Sequence, residues 1–309
     1  MFFGSLFLLY IFLTGAHDAN NIKKPKKNIM KSGLYIVSTP IGNLGDISLR
    51  ATETLKNSDI IICENPKHSL KLLSKLDIKK KLISLHDYNE EAVIEKIRDE
   101  LKNKKYSLIS DAGSPLISDP GYKLVRFCVE NNIYVTVIPG ASSLTSALQL
   151  SSIPINKYSF YGFLPKSKKN IIEFVKLLKD SSITSVFFVS RHKILSLLEE
   201  LSKEMTVRKI AICKEISKIN ERVFVGKPQD VLTSFNKSKK NSMGEFVVVV
   251  DGRDKPKNAP DKINIEKQAI IRKLLEKFSL TDTVEIVHKI GNIGKKELYK
   301  KALDIQNEK

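Results

Sequence analysis

Five short apolar runs in the first half of the chain each end at a small, Gly/Pro-rich or polar cluster, and segments with helical spacing separate them. This alternation of strand, loop and helix is typical of an α/β domain with a parallel sheet. In such a sheet, ligands bind outside the carboxyl ends of the strands, where these clusters fall. The pattern therefore favours an enzyme. The runs are Leu34–Val37, Ile60–Cys63, Leu82–Leu85, Ser107–Ile109 and Tyr134–Ile138.

A second alternating unit follows a crossover that runs from Pro154 to Pro165, and three helical patterns with basic faces end the chain. We therefore expect two α/β domains and a small helical C-terminal domain. The second unit has predicted strands at Ser185–Val189, Lys209–Cys213, Arg222–Val225 and Phe246–Val250. The predicted units are an N-terminal extension (1–29), an N-terminal α/β domain (30–153), a second α/β domain (154–252), a linker (253–264) and a helical domain (265–309).

The extension begins with an apolar run, Phe2–Leu13, that lacks a basic region before it and is too short to span a bilayer comfortably. It has three interpretations: an export leader, an organelle-targeting segment, or an artefact of an upstream start codon. Met30 lies four residues before the first strand and favours the last interpretation.

The net charge of +18 is unusual, whereas the hydrophobic content of 42% is ordinary. Residues 1–29 contain four Lys and one Asp, so the rest of the chain carries +15. A basic surface favours a polyanionic partner, although AT-rich codon usage also enriches lysine. Cys63, Cys128 and Cys213 lie far apart in or beside apolar segments. They indicate buried thiols in a reducing compartment, with no disulfide framework and no metal site.

The loop Asp111–Pro115 is the strongest functional signal, because Asp, Gly, Ser and Pro after a strand offer backbone amides without bulky side chains to a nucleoside-bearing ligand. Thr39–Leu44 has the same character, and Pro139-Gly140 is either a turn or a ligand wall. A plain βα turn is the alternative for each loop. No G-x-G-x-x-G, Walker lysine or Ser/His/Asp order is present, which argues against nicotinamide enzymes, phosphotransferases and hydrolases.

Taken together, these loops resemble the tetrapyrrole-methylase-like family, and within it a group that methylates the 2′-hydroxyl of cytidine 1402 in 16S ribosomal RNA. The resemblance extends from about Leu34 to the C-terminus, including the tail Lys295–Leu303. The matching segments are Leu34–Leu44, Leu85–Asp87, Asn89-Glu90, Ser110–Tyr122, Pro139-Gly140, Gly162–Pro165 and Gly244-Glu245.

The resemblance implies a two-domain α/β fold that binds S-adenosylmethionine in the cleft between the domains. It also implies a homodimer that is located in the cytoplasm, does not associate with a membrane, and acts on 16S ribosomal RNA in the small ribosomal subunit. By position, the implied cofactor-binding residues are Pro40, Gly42, Asn43, Asp111, Ala112, Gly113, Ser114, Pro115, Pro139, Gly140, Ala141, Ser142, Phe163 and Leu164.

The chain departs from the pattern of the group at several positions. The usual Glu-Asp-Thr-Arg is Glu64-Asn65-Pro66-Lys67 here, and an aromatic-Glu-Ser block has Val189 in place of Glu. The common Arg-Glu-Leu/Ile-Thr-Lys reads Lys214–Lys218, Pro-Gly-Pro ends in Ala141, and Met243 replaces a basic residue. These changes weaken any role assigned to Asn65 and Val189.

Methylation of a ribose hydroxyl needs alignment of the reacting atoms and a proton acceptor, because the hydroxyl is a poor nucleophile near neutral pH. Four candidate acceptors are Glu64, His86, Glu90 and Glu215, with Glu64 and His86 preferred. His86–Glu90 has a structural alternative, in which Asn89 caps the next helix. Candidate phosphate contacts are Lys67, Arg191, His192, Lys214, Lys218, Lys295, Lys296, Lys300 and Lys301; the alternative for each is a solvated surface charge.

Three other functions stay open. A tetrapyrrole or precorrin methylase would use the same fold on a small molecule, but the basic charge and the C-terminal helices favour RNA. An RNA-binding assembly factor without turnover is compatible with Asn65 and Val189. An exported protein conflicts with the cytoplasmic supply of the methyl donor.

Overall fold

The computed structural model describes residues 30–252, 265–291 and 293–307. The predicted extension (1–29) and the predicted linker (253–264) lie outside the described residues. Within those that are described, two five-stranded sheets with flanking helices precede a three-helix unit. This architecture confirms the predicted α/β fold with a helical C-terminal region.

The first sheet is entirely parallel, with strand order β3-β2-β4-β1-β5. Apolar clusters cover both of its faces, which is why strand β2 reads as an uninterrupted run of Ile and Cys. Its strands are β1 (Gly33–Val37), β2 (Ile60–Cys63), β3 (Lys81–Ser84), β4 (Lys105–Ile109) and β5 (Val135–Ile138). Its helices are α1 (Leu49–Asn57), α2 (Pro66–Lys75), α3 (Glu90–Ile97), α4 (Tyr122–Glu130) and α5 (Ser143–Leu150).

The second sheet is mixed, with order β6-β7-β10-β8-β9 and only β6 and β7 parallel. Its strands are β6 (Tyr158–Phe163), β7 (Thr184–Ser190), β8 (Ile210–Lys214), β9 (Arg222–Gly226) and β10 (Glu245–Val250). Its helices are α6 (Lys168–Asp180), α7 (Ile194–Glu204) and α8 (Pro228–Asn236).

Two elements of this domain differ from the sequence prediction. The crossover predicted at 154–165 contains the edge strand β6, whose half-exposed side chains give no continuous apolar run. Helix α8 has only three buried residues, and its pattern was not predicted. In the first domain, Asp119-Pro120 has the composition of a helix start, but α4 begins at Tyr122 after Gly121.

Helix α5 joins the two domains. Its buried face, formed by Leu144, Ala147 and Leu148, packs in one apolar cluster with Cys213 and Val247 of the second sheet. Since this contact is apolar and buried, it holds the carboxyl edge of the first sheet against the second domain.

The C-terminal unit has its own small core around Ile271, Val287 and Leu298. It consists of α9 (Ile265–Leu274), α10 (Leu280–Gly291) and α11 (Lys295–Asn307). Among the helices that the structure describes, none combines the length and the apolar character needed to cross a membrane. All three cysteines are buried and free, as predicted.

Candidate active site

The loops after β1, β4 and β5 meet at the carboxyl edge of the first sheet. Thr39 and Gly113 exchange two backbone hydrogen bonds of 2.9 and 3.1 Å. The hydroxyls of Ser38 and Ser114 lie 3.1 Å apart, and Ser114 Oγ donates to the carbonyl of Ala141 at 3.3 Å. Three loops that the sequence analysis singled out separately therefore form one hydrogen-bonded rim.

A cavity of about 330 Å³ lies between this rim and the second sheet. Such a volume lies in the range of small-molecule sites, roughly 300–1,000 Å³. The first domain contributes small and acidic residues, and the second contributes apolar ones such as Phe188, Ile216 and Val247. Six predicted cofactor-binding residues line it: Asp111, Ala112, Gly113, Ser114, Ser142 and Phe163.

The other eight predicted cofactor-binding residues do not line the cavity. Gly42 packs so closely on the second domain that an added Cβ would lie 2.4 Å from Lys218 Cγ, and Asn43 Oδ1 accepts from Gly45 N–H at 2.9 Å. Leu164 is buried in the core of the second domain. The structure thus brings together part of the predicted set, and the remainder lies outside the lining: Pro40, Gly42, Asn43, Pro115, Pro139, Gly140, Ala141 and Leu164.

Acidic groups collect at the ends of β2, β3 and β4. Partial burial of the Glu64 side chain raises its pKa, and the carboxylates of Asp111 and Asp87 raise it further, whereas His86 lowers it. Partial burial and repulsion by Glu64 and Asp111 raise the pKa of Asp119 to about 6, against a hydrogen bond from Ser110. Within the described residues, no three His, Cys, Asp or Glu side chains are arranged to hold a metal ion.

The four predicted proton acceptors separate in the structure. Glu64 and His86 are exposed at the carboxyl edge, beside the cavity but outside its lining. Glu90 is only 5% exposed, and its carboxylate accepts from the backbone N–H of Leu124 at 2.8 Å, so it links α3 to α4. Asn89 does not cap α3 with its side chain; its Oδ1 accepts from His86 N–H at 2.8 Å.

Glu215 is engaged by its surroundings. Its carboxylate accepts from Glu245 N–H at 2.9 Å and pairs with Lys218 at 3.1 Å. Burial by itself raises the pKa of Glu215, but these hydrogen bonds outweigh it and lower the pKa. Since the carboxylate is stabilised in its charged form, it is a weak proton acceptor.

The predicted RNA-binding residues also separate. Lys67, Arg191 and His192 are exposed, whereas Lys218 pairs with Glu215 and Glu245. Lys214 is 6% exposed and donates to the carbonyl of Lys240, which leaves its ammonium group inside the second domain. On α11, Lys295, Lys296 and Lys300 are exposed and Lys301 is half-buried.

Sequence reasoning missed several residues of the cavity. Asp119 and Ile117 lie inside the matching segment Ser110–Tyr122, but no sequence pattern assigns either of them a role, and the pair Asp119-Pro120 is also typical of a helix start. Phe188 and Glu245 come from separate strands of the second sheet. No spacing in the sequence relates those strands to the loop after β4.

This arrangement is that of a known class of enzymes. A family model described as Tetrapyrrole (Corrin/Porphyrin) Methylases matches residues 33–232. The crystal structure of a diphthine synthase matches the fold with a TM-score of 0.53 at 16% identity, covering 71% of this chain and 89% of the other. A uroporphyrin-III-C-methyltransferase from Thermus thermophilus gives 0.50 at 16% identity, covering 72% and 94%. The chain belongs to the tetrapyrrole methylase family.

Curated relatives identify the group within that family. Ribosomal RNA small subunit methyltransferase I of Thermotoga maritima is 41% identical over 222 residues, which cover 72% of this chain and 99% of the relative. The protein of the same name from Buchnera aphidicola subsp. Schizaphis graminum is 38% identical over 281 residues, covering 89% and 98%. These relatives confirm the resemblance found in the sequence.

Enzymes of this family use S-adenosylmethionine, and the cavity fits that molecule. One carboxylate oxygen of Asp111, Oδ1, is buried and has no hydrogen-bond partner among the described residues, so it is an acceptor left for a ligand. Ile117 and Phe163 offer apolar surface to a nucleoside. Asp111 supplies a negative charge in the cavity wall, which favours a sulfonium cation.

Proposed function

We propose that this chain transfers a methyl group from S-adenosylmethionine to the 2′-hydroxyl of cytidine 1402 in 16S ribosomal RNA. The observation that carries the proposal is the 41% identity to a protein named Ribosomal RNA small subunit methyltransferase I along 99% of that protein's length. The net charge of +15 after residue 29 supports an RNA substrate over a tetrapyrrole, because phosphate neutralisation favours binding to a basic protein.

S-adenosylmethionine supplies an electrophilic methyl group when it is bound. The chain has to hold the ribose in line with that group and remove a proton from the hydroxyl. Alignment and general-base catalysis are separate contributions, and the second is worth about 10²–10⁴-fold. Of the four acceptors predicted from the sequence, Glu64 and His86 are exposed at the sheet edge, whereas Glu90 is buried and Glu215 is paired with Lys218.

The exposed basic residues support contacts with the phosphate backbone of the small subunit. Lys67 lies on the first domain, Arg191 and His192 follow β7, and the lysines of α11 lie on the C-terminal unit. We infer that these contacts position the RNA without reading its sequence. The enzyme acts as a cytoplasmic homodimer in this proposal, a state that light scattering of the purified protein tests.

Ribose-methylation mapping of small-subunit RNA tests the proposed function. Small subunits from cells that lack this gene are incubated with the purified protein and S-adenosylmethionine. The expected result is a new 2′-O-methyl group on cytidine 1402, and none on subunits from the parent cells, where the position is already modified. If the mark persists in cells without the gene, or if the protein leaves unmodified subunits unchanged, the assigned substrate is wrong.

A further inference from the structure

Asp119 lies in the wall of the cavity, on the loop that connects β4 to α4. This loop has an unusual backbone: Leu116 and Ser118 have φ values of 73° and 72°, in the left-handed region that non-glycine residues rarely adopt. Such conformations are strained and cluster at functional sites. The loop therefore adopts two left-handed backbone conformations just before Asp119, and it places that residue in the cavity wall.

The surroundings of Asp119 are acidic. Glu64 and Asp111 of the first domain raise its pKa, and Glu245 of the second domain lines the same cavity. Lys218 pairs with Glu215 and Glu245, so its charge is shared with them. The Ser110 hydrogen bond opposes the rise, and the resulting pKa is about 6. At neutral pH the carboxylate is therefore mostly ionised, yet it binds a proton more readily than an ordinary aspartate does.

The competing acceptors are less well placed. Glu90 and Glu215 are occupied by backbone N–H groups, and Lys218 also binds Glu215. Glu64 lies outside the lining of the cavity, as does His86. Asp111 lines it, but its buried, unpartnered oxygen suits a contact with the methyl donor.

Resting on the proposed function, we propose that Asp119 is the catalytic residue that accepts the proton of the ribose 2′-hydroxyl. The 2′-oxygen forms a bond to the methyl carbon while the carbon–sulfur bond breaks. The sulfur keeps the bonding electron pair, and the 2′-proton passes to the Asp119 carboxylate. Glu64 acts as a positioning residue, since its charge raises the proton affinity of Asp119.

The variant Asp119→Asn tests the assignment, because it keeps the size and polarity of the side chain and removes the basic carboxylate. We expect kcat on unmodified small subunits to fall by about 10²–10⁴-fold. Calorimetric titration with S-adenosylmethionine should give a Kd close to that of the wild type. Asp99→Asn is the matched control: its side chain is 96% exposed and follows α3, so kcat and Kd should both remain unchanged.

The pH profile separates proton transfer from a structural role. For the wild type, kcat/KM should fall below an apparent pKa of about 6, because this ratio reports the protonation of the acceptor in the free enzyme. Glu64→Gln removes a like charge, lowers the pKa of Asp119 and should move this acid limb to lower pH. Asp119→Asn should remove the limb from the residual activity.

Thermal unfolding supplies a readout independent of turnover. The pKa of Asp119 is raised in the folded protein, so its ionised form destabilises the fold at pH values above that pKa. The Tm of Asp119→Asn should therefore equal or exceed that of the wild type at pH 8, and this advantage should disappear near pH 4. A variant that loses activity because it misfolds would instead have a lower Tm at pH 8.

The outcomes distinguish this inference from the function on which it rests. If the wild type does not methylate cytidine 1402, the proposed function fails. If the wild type does so and Asp119→Asn keeps kcat within tenfold, Asp119 is not the acceptor. Loss of S-adenosylmethionine binding in Asp119→Asn, or a Glu64→Gln variant that is the more severely impaired of the two, would also overturn the assignment.

Discussion

Glu90 illustrates how a buried carboxylate is held by a backbone donor. Its side chain accepts the N–H of Leu124, the third residue of α4, at 2.8 Å. The first N–H groups of a helix have no partner within the helix, and a carboxylate there also interacts favourably with the helix dipole. Glu90 therefore joins the start of α3 to the start of α4.

Removing this acceptor should destabilise the first domain. Glu90→Ala leaves a buried N–H without a partner, which costs about 1–3 kcal/mol of unfolding free energy. Glu90→Gln keeps an acceptor oxygen and should lose less. Urea unfolding measures both, with Glu95→Ala as the control, since Glu95 forms an exposed ion pair with Arg98 that contributes little to stability. Equal losses for Glu90→Ala and Glu95→Ala would contradict the structural role.

At the scale of the secondary-structure element, helix α2 depends on the residue before it. Asn65 Oδ1 accepts from the N–H groups of Lys67 and His68 at 3.1 and 3.3 Å, and Pro66 takes the first helical position. Asp is the usual residue here in the group that the sequence resembles, and Asn and Asp are comparable N-caps. The departure at Asn65 is thus compatible with the same local structure.

Asn65→Ala should lower the unfolding free energy by about 1 kcal/mol, because the two N–H groups lose their acceptor. Asn65→Asp keeps the acceptor and adds a negative charge at a helix N-terminus, which is favourable. It should therefore be at least as stable as the wild type. Chemical denaturation of the three proteins measures the order; an alanine variant as stable as the aspartate variant would show that the cap contributes nothing.

At the scale of the whole molecule, the C-terminal unit has a core separate from those of the two sheets. Its last helix, α11, carries the four lysines that were predicted to contact phosphate. Tyr299 lies on the same helix, half-exposed, beside a depression that Lys295 and Lys296 also line. Such a unit can change RNA affinity without changing the methyl-donor cavity.

Replacing Lys295, Lys296, Lys300 and Lys301 with alanine should weaken small-subunit binding and leave the Kd for S-adenosylmethionine unchanged. Each lost phosphate contact should reduce the slope of log K against log[salt] by about 0.7–0.9. The control removes four lysines from α6: Lys168, Lys169, Lys176 and Lys179. Filter binding at several salt concentrations makes the comparison. Equal slopes for both variants would mean that net charge alone, and not the position of α11, sets RNA affinity.

Much of the fold followed from local patterns. The strands of the first sheet were predicted to within two residues, because buried parallel strands are continuous apolar runs ended by turn residues. Strand β6 was missed because an edge strand is half-exposed and its pattern is interrupted. Some of the residues that were predicted to bind the cofactor line the cavity, since the loops that follow neighbouring parallel strands meet at one edge of the sheet.

By itself, the sequence determined the family, the order of strands and helices in the first domain, and the position of the loops at the carboxyl ends of its strands, because each of these depends on contiguous residues. Only the tertiary structure decided that Glu90 is a buried helix link, that Glu215 is tied to Lys218, and that Asp119 lies in the wall of the cavity. Proton affinity and accessibility depend on groups brought together from distant parts of the chain. Their distances are properties of the packed molecule, and no local pattern encodes them.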